Sequence, residues 1–586
     1  MKKAMKALAL LLGVLTLGSA TACGGGGSGD SGDGGGTGGS GGSAKVTQVL
    51  FMDYGGGMGS AWLHQAAERF ETLKKTESYE SGKTGVDISI TSSKGIPYDT
   101  MSSTGYHIFT SENTADIYMM ASKGELLCLD EIVDGMTSEI NADYQERLKG
   151  PDGKYYALPH YEWYPGISYD IDYFNQKNLY FADPAETIVE EKTSKYGTAK
   201  FIADPLATKS CGPNGVSGDY DDGLPSSVQE FFMLCEAMKE TGRVPFIWSG
   251  DCVSYAFYFT HALWANLAGY EQMRTIYTHD SNGKEIVEVV TGYTDEDLFY
   301  AGSGIKKPTT QKIAITPDNA YKAYEMVSRY YSLAALQVIY DNQYNIHSDT
   351  KYNSFKTGVS HFNAQSHFIT NQTGGMLWDS SYWYNETAND TNNLEYYQDR
   401  NPGAPERQLS YMPMPAQIDG SVQVGGGHKN VLLDLGASQM FVNKRVEANP
   451  GLTRAIKEFI AFLYSDAELA AYTEETGAMR AIDYTFDNTK AYSFYNRMNV
   501  IRQASDVVYE ASASPIYKKN HGYFRMIWSG AINRPVINGT EVANGYYYAM
   551  KEYGTSGGAD FYLRANARNL FDATKKTEIS WSKLAK

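Results

Sequence analysis

The sequence predicts an α/β protein, and three patterns near its N-terminus support this class. Val46 to Met52 and Val86 to Ile90 read as strands, and apolar residues recur at helical spacing between them. After a further connection, Asp116 to Met120 reads as a third strand. Strands that alternate with helices favour a parallel sheet with right-handed crossovers.

The first strand ends next to candidate binding residues. The helix after it is predicted from Leu63, Ala66, Ala67, Phe70 and Leu73. Ligands of open α/β sheets lie beyond the carboxyl ends of the strands. Asp53, Tyr54 and the region 111–116 are therefore expected at one edge of a cleft, although Asp53 could equally cap the loop that follows it.

Further helices are predicted along the chain. Ser227 and Glu230 form a capping box, Tyr255 to Tyr270 is helix-like, and Ala455 to Leu463 is an apolar helical stripe. Ser465 and Glu468 open the next helix, which Gly477 is expected to end.

Composition narrows the class of protein. The chain has 586 residues and a formal net charge of −17, which argues against nucleic-acid binding because that depends on Lys and Arg. Its hydrophobic fraction of 42% argues against disorder throughout the chain. Tyrosine is abundant, with 46 residues, and aromatic residues reach 13%.

The N-terminus predicts export. Residues 1–22 combine Lys2, Lys3 and Lys6, a short apolar run and small residues, as a signal peptide does. Cys23 follows at once, and the segment resembles a bacterial lipobox, with Ala20 where Leu is usual. Residues 23–44 would then be a lipidated cysteine and a flexible Gly/Ser tether at the extracellular face of the cytoplasmic membrane. The alternative is an ordinary signal peptide with an incidental cysteine.

Metal and disulfide signals are weak. Four cysteines remain after Cys23, and the sequence does not choose among their pairings. Asp219, Asp221 and Asp222 lie beside glycines and could bind calcium, but the EF-hand spacing is absent and a solvated turn is the favoured interpretation. His361 and His367 are not spaced as a metal pair on one helix face, and no cofactor is predicted.

Several segments, in order, carry a family resemblance. They are the lipobox and tether, Ala115-Asp116-Ile117-Tyr118, Gly153-Lys154-Tyr155-Tyr156-Ala157-Leu158-Pro159, Tyr220-Asp221-Asp222-Gly223-Leu224-Pro225, Met376-Leu377-Trp378-Asp379 with Trp383-Tyr384-Asn385-Glu386, Met412-Pro413-Met414-Pro415 and Ala455 to Gly477. The chain resembles bacterial extracellular solute-binding proteins of family 1, the sugar-binding lipoproteins of ABC importers with a maltose-binding-protein-like fold. It departs from the family in an apparent insertion at 271–315 and in Ser380-Ser381, where a glycine is usual.

The resemblance implies two discontinuous lobes joined by hinge crossovers. Lobe one would span 45–165 plus 430–485, and lobe two 166–429 plus 486–586. A carbohydrate ligand would lie between the lobes, which close over it. The implied partners are ABC-transporter permease subunits and, through the lipid anchor, the membrane; the protein would be a monomer and not an enzyme.

Aromatic residues with polar neighbours are the candidate site, because rings cover the apolar faces of sugars and polar groups bind their hydroxyls. Trp264 and Asn266 point in different directions on one helix, so at most one of them should reach a cleft. Tyr523 and Trp528 are placed by the resemblance alone. The candidate ligand-binding residues are Asp53, Tyr54, Tyr161, Glu162, Trp163, Trp248, Trp264, Trp378, Asp379, Trp383, Tyr523 and Trp528.

Two other functions stay open from the sequence. A membrane-anchored glycoside hydrolase would also line a cleft with aromatic residues around two carboxylates. A receptor for peptide or another polar solute could use the same fold, since a fold does not determine its ligand.

Overall fold

The computed structural model describes most of the chain after the tether. The described residues are 45–93, 101, 103–111, 115–252, 254–278, 280–316, 318–345, 354, 359–388, 407–419, 429–434, 438–509, 536–537 and 540–541. Cys23, Tyr523 and Trp528 lie outside them.

In the described residues, the strands form seventeen main segments and one short C-terminal pair. In chain order they are β1 (Thr47–Asp53), β2 (Val86–Ser92), β3 (Ile108–Ser111), β4 (Glu139–Ile140), β5 (Ala157–Tyr161), β6 (Pro165–Asp170), β7 (Val189–Ser194), β8 (Gly197–Ile202), β9 (Val244–Ile247), β10 (Val287–Asp297), β11 (Lys306–Ile313), β12 (Gly374–Ser380), β13 (Leu409–Met412), β14 (Val431–Asp434), β15 (Ser438–Val442), β16 (Ile482–Asp483), β17 (Asp506–Tyr509), β18 (Val536–Ile537) and β19 (Thr540–Glu541).

The α-helices of the described chain surround these strands. In chain order they are α1 (Ala61–Leu73), α2 (Ala115–Ser122), α3 (Asp130–Asp134), α4 (Ala142–Leu148), α5 (Ile171–Gln176), α6 (Val228–Glu240), α7 (Ser254–Ala268), α8 (Tyr270–Thr278), α9 (Val327–Asp341), α10 (His361–Ile369), α11 (Trp383–Ala388), α12 (Pro450–Leu463), α13 (Asp466–Thr476) and α14 (Ser493–Ala504).

The first large sheet has the order β2-β1-β3-β15-β5. β1 pairs in parallel with β2 and β3, whereas β15 is antiparallel to both β3 and β5. Helices α1 and α12 pack together beside this sheet, with the rings of Phe70 and Phe459 5.1 Å apart. This sheet and its helices are called lobe one.

The second large sheet has the order β13-β6-β12-β9. β12 is parallel to β9 and antiparallel to β6, and β13 is antiparallel to β6. All seven residues of β12 are buried, so both faces of this sheet are covered. This sheet and the helices packed on it are called lobe two.

The chain crosses between the two lobes more than once. β5 of lobe one continues through Glu162, Trp163 and Tyr164 into β6 of lobe two. The return path leads from β13 through β14 to β15, and a later segment passes from α13 to α14 and β17. β14 and β17 pair in parallel beside these crossings. The fold is therefore α/β, with two discontinuous lobes joined by crossing segments, as the sequence analysis expected.

One predicted element is wrong. Residues 116–120 do not form a strand; they lie in helix α2, and the third parallel strand is β3, four residues upstream of that helix. Ile117, Met120 and Ala121 are buried whereas Met119 is 40% exposed, which is helical spacing. A short apolar run does not distinguish a buried strand from a helix by its pattern alone.

Other predicted elements are confirmed. Ser227 and Glu230 form both hydrogen bonds of a capping box at the start of α6. Gly477 ends α13 in the left-handed conformation, with φ of 74°. Ser465 precedes that helix, but its side chain makes no capping hydrogen bond.

Two further findings concern the cysteines and the membrane. Within the described part of the chain, Cys128, Cys211 and Cys235 are free thiols. None of the helices described there combines the length and the apolar character that crossing a bilayer requires.

Candidate functional site

The two lobes touch where the loop after β1 meets the turn after β12. Gly57 of that loop lies against the ring of Tyr382, so close that a Cβ at this position would overlap the ring. Nearby, the Asn385 side-chain amide of lobe two donates to the carbonyl oxygen of Thr476 in lobe one, at 2.5 Å. The carboxyl ends of β1 and β12 therefore face one another across an interlobe contact.

Four aromatic rings form a connected group beside this contact, and we call it the ring cluster: Trp163, Tyr255, Tyr258 and Tyr382. Trp163 meets Tyr258 and Tyr382 edge-on, with ring centroids 5.5 Å and 5.7 Å apart. Tyr255 lies 6.3 Å from Tyr258. The three tyrosines are half-buried. The ring cluster thus joins the first crossing, helix α7 and the turn after β12.

Hydrogen-bonding side chains lie next to the rings, and we call them the polar cluster: Asp379, Gln365, Glu386 and His361. The Tyr255 hydroxyl donates to Asp379 Oδ1 at 2.7 Å. The Gln365 side-chain amide donates to Asp379 Oδ2 at 3.2 Å and to Glu386 Oε2 at 2.9 Å. His361 Nε2 lies 3.5 Å from Glu386 Oε1.

Two carboxyl groups share the polar cluster, and this changes the proton affinity of Asp379. Burial, and after it the negative charge of Glu386, raise the pKa of Asp379 to about 6, although hydrogen bonds from Tyr255 and Ser380 oppose the shift. Glu386 keeps a side-chain exposure of 23%. The cluster therefore offers one carboxyl group that can donate a hydrogen bond near pH 6 and another that accepts.

Asp53 is completely buried at the end of β1. Its carboxylate accepts hydrogen bonds from Ser60 Oγ at 2.5 Å and from Thr110 Oγ1 at 2.7 Å. His160 Nε2 lies 3.9 Å from the same carboxylate. Burial raises the pKa of Asp53. Both of its oxygens thus hold the loop after β1 in place.

Glu162 lies in the first crossing and is buried. Arg502 of α14 donates to both of its oxygens, and the hydroxyls of Tyr164 and Tyr509 donate to it as well. Burial opposes ionisation, but the charge of Arg502 and these hydrogen bonds outweigh it and hold the pKa of Glu162 below its usual value. Its contacts therefore tie the crossing segments together.

Four of the predicted tryptophans are packed inside lobe two. Trp378 and Trp383 are fully buried, and their indole nitrogens donate to the Tyr255 carbonyl oxygen and to Ser168 Oγ. Trp248 packs on Phe246, and Trp264 packs beside His261 and beneath Arg329.

Some of the remaining candidate ligand-binding residues lie near the interlobe contact, and others lie in the core. Tyr54 is half-buried, and Tyr161 is buried with its hydroxyl against Gly56. Asn266 is buried and holds the Met414 carbonyl oxygen and the Val431 amide, so neither it nor Trp264 reaches the interlobe contact. The structure therefore places Asp53, Tyr54 and Tyr161 at the loop after β1, and Trp163 and Asp379 in the ring and polar clusters.

Most residues of the two clusters were not predicted from the sequence. Tyr382, Tyr258, Tyr255, Gln365 and Glu386 were not among the candidates. Two spacings could have indicated them. Tyr255 and Tyr258 are three residues apart on α7, and His361 and Gln365 are four apart on α10, so each pair shares a helix face.

The three aspartates that were weighed for calcium lie together in the loop between β8 and α6. One carboxylate oxygen from each of Asp219, Asp221 and Asp222 lies within 4.8 Å of the others. This loop is separate from the ring and polar clusters in sequence and in its contacts.

The comparisons with known proteins give only structural matches. No family model matches the chain, and no curated protein does. A solved chitin oligosaccharide binding protein is similar, with a TM-score of 0.49 and 13% identity, covering 88% of this chain and 100% of that one.

Two further solved structures are similar to the same extent. A cyclic alpha-maltosyl-1,6-maltose binding protein from Arthrobacter globiformis has a TM-score of 0.48 and 13% identity, covering 91% of this chain and all 100% of that one. A family 1 extracellular solute-binding protein from Bifidobacterium longum subsp. infantis has a TM-score of 0.46 and 13% identity, covering 90% and 99%.

Proposed function

We propose that the chain is a receptor that captures a carbohydrate, most simply an oligosaccharide, between its two lobes. The observation that carries this proposal is the junction of the ring cluster with the polar cluster at the interlobe contact. Ligand sites of this kind combine aromatic walls with a few placed polar groups.

The two clusters divide the chemistry of a sugar between them. The apolar C–H faces of a pyranose ring would lie on Trp163, Tyr258 or Tyr382. Its hydroxyls would exchange hydrogen bonds with Asp379, Glu386 and Gln365, which already bond one another and are held in place by that network. Preorganised groups of this kind lose less entropy when a ligand binds.

The contact between Gly57 and Tyr382 supports a role for lobe closure. A ligand held by lobe two would be covered by the loop after β1, whose shape Asp53 holds through Ser60 and Thr110. Hinge closure around a ligand uses a few residues in crossing segments such as those described above.

Delivery and anchoring complete the proposal. The sequence resemblance supports transfer of the bound sugar to ABC permease subunits, and the signal peptide with Cys23 supports a lipid anchor outside the cytoplasmic membrane. The Gly/Ser tether would let the receptor reach a permease in the same membrane.

Binding of defined sugars tests the proposal. The purified mature chain should show a rise in melting temperature with at least one oligosaccharide from a panel that includes chitin and maltose oligomers, because a ligand of the native state stabilises it. Tyr382→Ala should weaken that binding about tenfold or more, as expected for loss of an aromatic contact. Tyr293→Ala removes a half-buried tyrosine from the β10–β11 hairpin and should leave the affinity unchanged.

Three outcomes would overturn the proposal. They are a response to peptides and to no glycan, equal affinities of the two variants, and cleavage of the oligosaccharide during incubation. Cleavage products would favour the glycoside hydrolase alternative, with Asp379 and Glu386 as the first carboxylates to test.

A further inference from the structure

A second polar group lies far from the interlobe clusters in sequence, in the loop that joins β8 to α6. In the described part of the chain it is the one group of three acidic, histidine or cysteine side chains with the spacing of a metal site. It consists of Asp219, Asp221 and Asp222, with one oxygen of each within 4.8 Å of the others.

The burial of this group differs from that of a solvated turn. Asp221 has an exposed fraction of 0%, although Asp219 is exposed. Asp221 Oδ1 and Asp222 Oδ1 are both shielded from solvent, and neither has a hydrogen-bond partner among the described residues. A buried carboxylate oxygen without a partner is unfavourable, and nearby like charges add to that cost.

The other oxygens of the group are held in fixed positions. Asp221 Oδ2 accepts from the Asn214 amide at 3.0 Å, and Asp219 Oδ2 accepts from the Asn214 side chain at 2.7 Å. Asp222 Oδ2 accepts from the Gly218 amide at 2.8 Å. Each carboxylate is thus oriented by the loop and keeps lone pairs that no donor among the described residues uses.

The loop is anchored at its base. The Gly223 amide donates to the Ser210 carbonyl oxygen at 2.7 Å, and the Phe181 amide donates to the Gly223 carbonyl oxygen at 2.9 Å. Gly212, with φ of 60°, passes so close to Asp221 that a Cβ would lie 2.7 Å from Asp221 Oδ1. The Gly212 backbone therefore lies directly against the Asp221 carboxylate.

We propose that the loop 210–223 binds one Ca²⁺ through Asp219, Asp221 and Asp222. Calcium accepts six to eight oxygen ligands in irregular geometry, and three carboxylates with adjacent loop carbonyls can supply them. Thiol and imidazole groups, which zinc favours, are absent from the three-residue group. The cation would supply the partner that Asp221 Oδ1 and Asp222 Oδ1 lack among the described residues, and it would offset the negative charge of the group.

Calcium would fix the approach to helix α6. The loop ends four residues before the Ser227 capping box, and the Val228 amide bonds to the Gln417 carbonyl oxygen beyond β13. Binding to the native state alone would raise the stability of lobe two with calcium concentration.

Terbium provides a direct probe of the site. Tyr220 lies between two of the proposed ligands, so a bound Tb³⁺ should emit after excitation of tyrosine, and CaCl₂ should displace it. The mature wild-type chain should also melt at a higher temperature in CaCl₂ than in EDTA, and MgCl₂ should have a smaller effect because magnesium requires stricter geometry.

Matched variants assign these signals to the loop. Asp221→Asn should weaken calcium binding at least about tenfold, as losses around metal sites do. Asp219→Asn tests the same prediction at an exposed ligand, and this substitution should not affect folding. Glu191→Gln removes an exposed charge from the neighbouring strand β7 and should change nothing.

Two results would overturn the calcium site. One is a wild-type chain whose melting temperature and terbium emission do not respond to calcium. The other is a calcium response of the same size in Asp219→Asn and Glu191→Gln. Sugar binding is measured separately, so the calcium site and the proposed function can fail independently.

Discussion

Glu162 and Arg502 form a buried ion pair between the first crossing segment and helix α14. Arg502 Nε lies 3.0 Å from Glu162 Oε2, and the Glu162 side chain has no exposed surface. Tyr164 and Tyr509 donate to the same carboxylate. The pair therefore joins two segments that are far apart in sequence at the point where the lobes are connected.

Glu162→Gln should destabilise the fold strongly. The variant leaves the Arg502 charge buried without its counter-charge, which typically costs about 3–5 kcal/mol. Urea denaturation of the mature chain measures the free energy of unfolding. Glu131→Gln serves as the control, because Glu131 is 78% exposed in its ion pair with Lys457 and such pairs contribute about 1 kcal/mol or less. Equal losses in the two variants would contradict a structural role for the buried pair.

Asp379 should make the free energy of unfolding depend on pH, and Asp379→Asn should remove this dependence. The pKa of Asp379 is raised to about 6 in the folded chain, chiefly by burial. The folded state then binds a proton more tightly than the unfolded state, so this contribution is present below pH 4 and is lost as pH rises through 6.

The size of that change is measurable. The stability of the wild type relative to Asp379→Asn should fall by up to about 3 kcal/mol between pH 4 and pH 7. Denaturation curves at a series of pH values provide the measurement, with Asp295→Asn as an exposed control. A difference that stays constant with pH would show that folding does not shift the pKa of Asp379.

Gly57→Ala should weaken the contact between the two lobes. The added Cβ would overlap the ring of Tyr382, and overpacking of this kind typically costs about 1–3 kcal/mol. Small-angle scattering should give a larger radius of gyration, and the affinity for any identified sugar should fall. Gly105→Ala is the control, because nothing lies within 4 Å of a Cβ there.

A double variant identifies the cause of that effect. Combining Gly57→Ala with Tyr382→Ala removes the overlapping ring, so the change in radius of gyration should disappear and the two effects should not add. Additive effects would mean that Gly57 acts on some other contact.

Trp378→Ala should affect folding more than ligand contact. Trp378 is fully buried and its indole nitrogen bonds to the Tyr255 carbonyl oxygen at 3.1 Å. Loss of such a side chain typically costs about 3–5 kcal/mol, which thermal and urea denaturation can measure. If a Trp378→Phe variant kept its stability and still lost sugar binding, the indole would have to contact the ligand.

The sequence predicted the elements of the fold better than the direction of its side chains. The segment around Trp378 and Trp383 was singled out by its residues, and it forms the junction of β12 with α11. Every residue of β12 is buried, however. An alternation of buried and exposed residues therefore cannot show which side chains of this strand face the core. The ring that reaches the other lobe belongs to Tyr382, two residues beyond the strand.

Long-range packing explains the other differences. Trp163, Tyr258 and Tyr382 come from three separate segments, and no local pattern shows that they meet. Glu162 was predicted from its aromatic neighbours, but its partner Arg502 is remote in sequence and becomes evident only when α14 packs on the crossing. The helix α2 was mistaken for a strand because the four apolar residues from Ile117 to Met120 fit either period.

The place of β15 in the first sheet has a consequence for synthesis. β15 spans residues 438–442, yet it lies between β3 and β5, which end at residues 111 and 161. When a ribosome has translated β1, β2, β3 and β5, it must still translate nearly all of lobe two before β15 emerges. Lobe one therefore cannot finish folding before lobe two is made, although N-terminal units usually fold first. Until β15 emerges, β3 and β5 each have an unpaired edge that can pair with other strands. Truncation anywhere before residue 438 should leave a nascent chain that depends on chaperones.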